Sequence, residues 1–204
     1  MSEQLPCLVG RLLSPYVRRI AVTLNYYQMP FERLVLSAID DEVERERINP
    51  VGRVPALILS DVETLIDSAA ILDHLDELAG TSSLMPASGF SRRRALYQLA
   101  IATGAIDRAM TANAERRRTP PDNKRLERLL RQCAKGFAAL ESALETDEYF
   151  GGNTIGQADV TTVVGLTFVE HIFPGTLQRS ELPRLFALAN SVERLPAFSD
   201  AQID

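Results

Sequence analysis

A chain of 204 residues with 46% hydrophobic content is long enough to bury one large core or two small ones, which excludes a disordered polypeptide. Its net charge of -5 argues against a general polyanion binder, because affinity for nucleic acid rests on a basic face that neutralises phosphates. No stretch approaches the ~18 apolar residues of a membrane span. The polar start Met1-Ser2-Glu3-Gln4 lacks the charged and apolar regions of a leader, so a cytoplasmic chain is expected. Cys7 and Cys133 are far apart, and only His74 and His171 join them, so C-x-x-C redox chemistry, a disulfide framework and a metal centre are not expected.

In chain order, the apolar run Leu5 to Val9 ends at Gly10 and predicts a strand. The spacing of Val17, Ile20, Ala21 and Leu24 predicts a helix over 15–27, stopped near Met29-Pro30. A second strand follows over 31–36, then an acidic, weakly helical segment over 38–48. Residues 54–59 and 63–66 flank Ser60-Asp61-Val62 as an antiparallel hairpin, and Asp67 or Ser68 caps a helix running to Gly80. The Ser-, Pro- and Gly-rich stretch after Gly80 has the composition of a linker, and only helical periodicity follows it, over about 91–118, 121–145, 156–171 and 182–193. The expected architecture is an α/β thioredoxin-like domain over 1–80, a linker over 81–90 and an all-α helical-bundle domain over 91–204. The runs Arg92-Arg93-Arg94 and Arg116-Arg117-Arg118 then read as solvated helix faces or interface pairs.

Three fragments carry chemistry: Ser14-Pro15-Tyr16-Val17-Arg18, Asn49-Pro50-Val51-Gly52-Arg53-Val54-Pro55 and Ile66-Asp67-Ser68. Ser-Pro is a strong helix start, since the hydroxyl can satisfy an orphan amide and proline at the first helical position forfeits no bond. The same hydroxyl, beside the positive end of the helix, can instead donate to a bound thiolate. Lowering a thiol from ~8.5 by about two units takes roughly 1.36 kcal/mol per unit, most of which one charge-assisted bond of about 1.5–3 kcal/mol supplies. Val54-Pro55 is a candidate cis peptide or an ordinary proline opening a strand. Asp67-Ser68 is a cap or a grip on an amino acid's ammonium and carboxylate.

On these fragments the whole chain resembles the glutathione transferase superfamily, in particular small bacterial members whose first helix opens with Ser-Pro-aromatic-Val-Arg. The resemblance implies that Val54 before cis-Pro55 pairs with the cysteinyl backbone of glutathione, that Arg53 contacts its glycine end, and that Asp67 and Ser68 hold its γ-glutamyl end. Ala105-Ile106-Asp107, Glu115-Arg116 before Pro120, and Gln157-Ala158-Asp159 match the family's helical half, although Gly156 stands where Ser or Thr is usual. It further implies a homodimer with glutathione as co-substrate.

The expected activity is transfer of the glutathione thiolate, held by Ser14, to a small hydrophobic electrophile lying among Leu13, Tyr16, Ile106 and Met110, with Asn113 on the same helical spacing. No His or Lys stands by to activate Ser14 as a covalent nucleophile. Cys7 is expected to pack inside. Two other readings share the site: a non-catalytic interaction module of the same fold, and a glutathione-dependent peroxidase or disulfide reductase.

Overall fold

The computed structural model describes residues 5–36, 41–144 and 148–204. The expected polar start and residues 38–40 of the acidic segment lie outside the described residues, as does the end of the helix expected over 121–145. The elements in chain order are β1 (Cys7–Val9), α1 (Pro15–Tyr26), β2 (Glu32–Leu34), α2 (Glu42–Ile48), β3 (Ala56–Ser60), β4 (Glu63–Ile66), α3 (Ser68–Ala79), α4 (Gly89–Arg116), α5 (Asn123–Leu144), α6 (Gln157–Ile172), α7 (Pro183–Val192) and α8 (Pro196–Ser199). A short 3-10 turn, Gly80–Ser82, follows α3. Among the described residues no helix is long and apolar enough to cross a membrane.

The chain divides into two compact units, one of residues 1–83 with 193–204 and one of residues 84–192. This differs from the sequence expectation, in which everything beyond 91 is one helical domain. Residues 193–204 belong with the strands because Arg18 of α1, itself buried, is bonded to Glu193 and to the Ala201 carbonyl.

In the first unit the four strands lie in the order β2-β1-β3-β4, with β1 and β2 parallel and the other two pairings antiparallel. A parallel pair needs a crossover, and α1 provides it. The apolar spacing that predicts α1 buries Val17, Ile20 and Leu24 with Leu8, Leu57, Ile71 and Leu75. The opposite side of the sheet has a smaller core of Val9, Leu36 and Ala56, flanked by Leu34, Ile48, Val54, Ile58 and Ile66.

In the second unit, α6 is buried along nearly its whole length, as its mostly apolar sequence requires. Glycine permits the closest approaches: a Cβ on Gly165 would sit 2.8 Å from Ile106 Cδ1, and one on Gly136 would sit 2.8 Å from Ala105 Cβ. Phe137, Leu140, Leu166 and Leu185 complete this core.

Candidate functional site

The strand register gathers the three sequence fragments. Val9 pairs with Ala56, and Ala56 with Ile66, so one row crosses three strands. The next residue of each strand beyond that row is Gly10, Pro55 or Asp67, and all three leave the sheet at the same end. No spacing in the sequence states this; it follows from the two antiparallel pairings of β1 with β3 and of β3 with β4.

Gly10 makes the convergence close. Its φ is +123°, and a Cβ there would stand 2.7 Å from Val17 Cγ2 and 3.0 Å from Val54 Cβ. Only glycine fits so tight a passage between the start of α1 and the loop entering β3. In the sequence alone Gly10 marks only the end of a strand.

Beyond Gly10 the chain turns into α1. The Ser14 N–H donates to the Arg11 carbonyl at 3.0 Å, and the Ser14 carbonyl accepts the Arg18 N–H at 2.9 Å. Ser14 has the extended geometry of an N-cap, with φ −68° and ψ 120°, yet its hydroxyl makes no capping hydrogen bond. Pro15 occupies the first turn. The alternatives left open by the sequence therefore separate: the Ser14 backbone starts the helix while the hydroxyl is not spent on it. Leu13 and Tyr16 flank it, both half-buried.

The second fragment is shaped by its first residue. Asn49 is buried; its Oδ1 accepts the Val51 N–H at 3.0 Å and its Nδ2 donates to the Arg53 carbonyl at 2.8 Å. Gly52, at φ +65°, donates its N–H to the Asn49 carbonyl at 2.7 Å, and its own carbonyl accepts from Arg45 Nη1. This ties Arg53 and Val54 into one conformation before Pro55, and the Val54-Pro55 bond is cis. The Arg53 side chain is exposed and Val54 is half-buried. An Asn-Pro-x-Gly run is a turn signal, and that signal is what could have marked Asn49.

The third fragment opens α3. Asp67 is the N-cap at φ +70°, and its Oδ1 accepts the Ala69 N–H at 2.8 Å. The Asp67 side chain is exposed, whereas Ser68 is buried beside it. Ser14, Arg53, Val54, Pro55, Asp67 and Ser68 all lie in the first unit.

The thiols of the chain stand apart from this chemistry. Cys7 is half-buried rather than packed inside, because it sits at the outer end of the short β1; burial and the neighbouring Glu32 push its thiol above the ordinary value. Burial in α5 pushes the Cys133 thiol up to about 12. Neither thiol is a poised thiolate.

In the helical unit, Ile106 is wholly buried against Gly165. It supports the core and gives no surface to an electrophile, a correction to the expectation drawn from helical spacing. Met110 is half-buried. Asp159 accepts the Phe150 N–H at 2.9 Å and the Gly156 N–H at 2.8 Å, which closes the start of α6. Burial raises its carboxyl to about 6 against the opposing pull of those amides.

Comparison with known proteins agrees with this architecture. The family pattern described as Glutathione S-transferase, N-terminal domain, matches residues 8–83, and that described as Glutathione S-transferase, C-terminal domain, matches residues 123–189. Glutathione S-transferase U4 of Arabidopsis thaliana is 26% identical over 75% of this chain, and the matched stretch spans 66% of that protein, just under two-thirds of its length. Maleylacetoacetate isomerase of Pseudomonas aeruginosa is 27% identical over 94% of this chain and 92% of its own. A glutathione S-transferase from Methylobacillus flagellatus, crystallised with GSH bound, superposes with a TM-score of 0.90 at 24% identity, covering 98% of this chain and 100% of that one. With both halves of the fold matched in order and the Ser-Pro, Val-Pro and Asp-Ser fragments at one end of the sheet, the chain belongs to the glutathione S-transferase superfamily.

Proposed function

We propose that this protein is a glutathione transferase that joins the glutathione thiolate to a small hydrophobic electrophile. The observation that carries the reading is the Ser14 hydroxyl, which stands at the start of α1 without a capping bond, at the end of the sheet where Pro55 and Asp67 also emerge. In this reading the Val54 main chain pairs with the cysteinyl backbone of glutathione. Asp67, through the oxygen not bonded to Ala69, takes the γ-glutamyl ammonium, and Ser68 with the first turn of α3 takes its carboxylate. Arg53 answers the glycine carboxylate.

Ser14 donates its hydroxyl hydrogen to the thiolate sulfur and remains uncharged throughout. The sulfur attacks the electrophilic carbon, a C–S bond forms, and the leaving group departs with the displaced electron pair. The work asked of Ser14 is about 1.4 kcal/mol for each tenfold in rate. Leu13 and Tyr16, which flank Ser14, are assigned to the electrophile.

A second reading is supported by the 27% identity to a protein named maleylacetoacetate isomerase. There the thiolate adds to an unsaturated substrate, allows rotation and leaves again, so that no thioether accumulates. We further read the chain as a cytoplasmic homodimer. Exposed Phe90 and Tyr97 on α4, at 71% and 68% accessibility, support self-association, and the two free cysteines suit a reducing compartment.

The test is conjugation of reduced glutathione to a small aryl halide, followed by thioether absorbance. Ser14→Ala should lower turnover at least tenfold while leaving glutathione affinity within a few-fold. An unchanged rate would remove Ser14 from the mechanism.

A further inference from the structure

The segment after α7 is held to the first unit at two places, and the two do different work. The first anchor grips the body of α1. Buried Arg18 donates Nε to the Ala201 carbonyl at 2.7 Å and its two terminal nitrogens to the Glu193 carboxylate at 2.9 and 2.6 Å. Asn25 adds a bond from Nδ2 to the Ala197 carbonyl at 3.1 Å. A bidentate, largely desolvated pair of this kind is ample to hold α8 against α1.

The second anchor is not needed for that purpose. The Leu13 N–H donates to Asp204 Oδ1 at 3.2 Å, and Arg33 Nη2 donates to Asp204 Oδ2 at 2.7 Å. Arg11 Nε lies 4.0 Å from the same carboxylate. Asp204 therefore clasps the main chain one residue before Ser14, in the turn that the Ser14 N–H to Arg11 carbonyl bond also closes. A carboxylate beside a site that binds a thiolate would repel it if left bare; here the Arg33 and Arg11 guanidiniums offset that charge.

We propose that Asp204 is a positioning residue for Ser14. Held between Arg33 and the Leu13 amide, its carboxylate fixes the peptide that leads into Ser14 and so aims the hydroxyl at the sulfur. Misplacing a reacting group by about 1 Å can cost up to 10²-fold in rate. The inference rests on the reading of Ser14 as the thiolate donor.

The experiment compares Asp204→Ala, Asp204→Asn and Ser14→Ala with the wild-type chain, using reduced glutathione and a small aryl halide. Asp204→Ala should lower kcat about five- to tenfold with KM for glutathione within twofold. The acidic limb of its kcat/KM profile, which reports thiol ionisation, should move to higher pH. Asp204→Asn keeps an acceptor for the Leu13 amide and should recover most of kcat. Melting temperature should stay within about 2 °C, because the Arg18 anchor is intact. Wild-type kcat and an unshifted profile in Asp204→Ala would overturn the inference, as would a loss of rate that only follows a loss of folded protein. If Ser14→Ala is slow while Asp204→Ala is normal, this inference alone fails. If the wild type does not conjugate, or Ser14→Ala matches it, the site reading fails and the inference falls with it.

Discussion

Helix starts differ between the two units, although α4 of the helical unit, at Ser88, also lacks a capping side-chain bond. In the helical unit each buried carboxylate closes one. Asp159 accepts the Gly156 amide at the start of α6 and the Phe150 amide of the preceding loop, and Glu141, reaching from α5, accepts the Arg184 and Leu185 amides of α7 at 3.0 and 2.9 Å. Glu115 accepts the Asp122 amide at 3.1 Å just before α5 and pairs with Arg118 and Arg125. In the first unit the side chains at the starts of α1 and α3 are held back: Ser14 makes no capping bond, and exposed Asp67 makes one from a single oxygen. The orphan amides of a helix start must be met by something. Where the chain meets them itself the residue is structural; unspent capacity leaves room for a ligand at α1 and α3, where the strand register brings the site fragments together.

The contrast breaks most visibly at Asp159. Asp159→Ala strands one buried and one partly buried amide and should cost about 2–3 kcal/mol, a fall of about 5–10 °C in melting temperature. A fall under about 1 °C would show that the start of α6 does not depend on this carboxylate. The same group sets a pH dependence. Its folded value of about 6 lies above that of an unfolded aspartate, so the folded state binds the extra proton between pH ~4 and ~6. Its stability contribution is then fully present below about pH 4 and is lost as pH rises through about 6, by about 1–3 kcal/mol. Denaturant unfolding across that range should show this slope in the wild type and a flatter one in Asp159→Asn; equal slopes would contradict the assignment.

In the first unit the effects should fall on binding. Asp67→Ala should weaken glutathione about tenfold, near 1.4 kcal/mol, and Ser68→Ala several-fold, both read by calorimetry. Normal affinity in both would reject the γ-glutamyl grip. The smallest effect is the sharpest. An ordinary N-cap serine costs about 0.5–2 kcal/mol when replaced by alanine. Ser14→Ala, with no capping bond to lose, should change stability by under about 0.5 kcal/mol, and a loss near 1 kcal/mol would make it a plain cap.

Much of this was legible in the sequence, because local rules wrote it. The 3.6-residue spacing of Val17, Ile20 and Leu24 gives α1, and the turn at Ser60-Asp61-Val62 gives the β3–β4 hairpin. The site fragments were legible as types of chemistry. What the sequence does not carry is contact across long separations. Glu193 meets Arg18 over 175 positions and Asp204 meets Leu13 over 191, so residues 193–204 read as the tail of a helical domain. Ile106 failed for a related reason: helical spacing shows which residues share a face, and the small residue opposite, Gly165, decides that this face is core. Gly10 and Asn49 were visible as letters, but their roles depend on what lies beside them in space.

The central claim, that the unspent helix starts of the first unit form a glutathione site, is tested most directly by calorimetric titration of the purified protein with reduced glutathione. Saturable binding at one molecule per chain is expected. An absence of binding up to millimolar glutathione would contradict it and leave the fold as an interaction module.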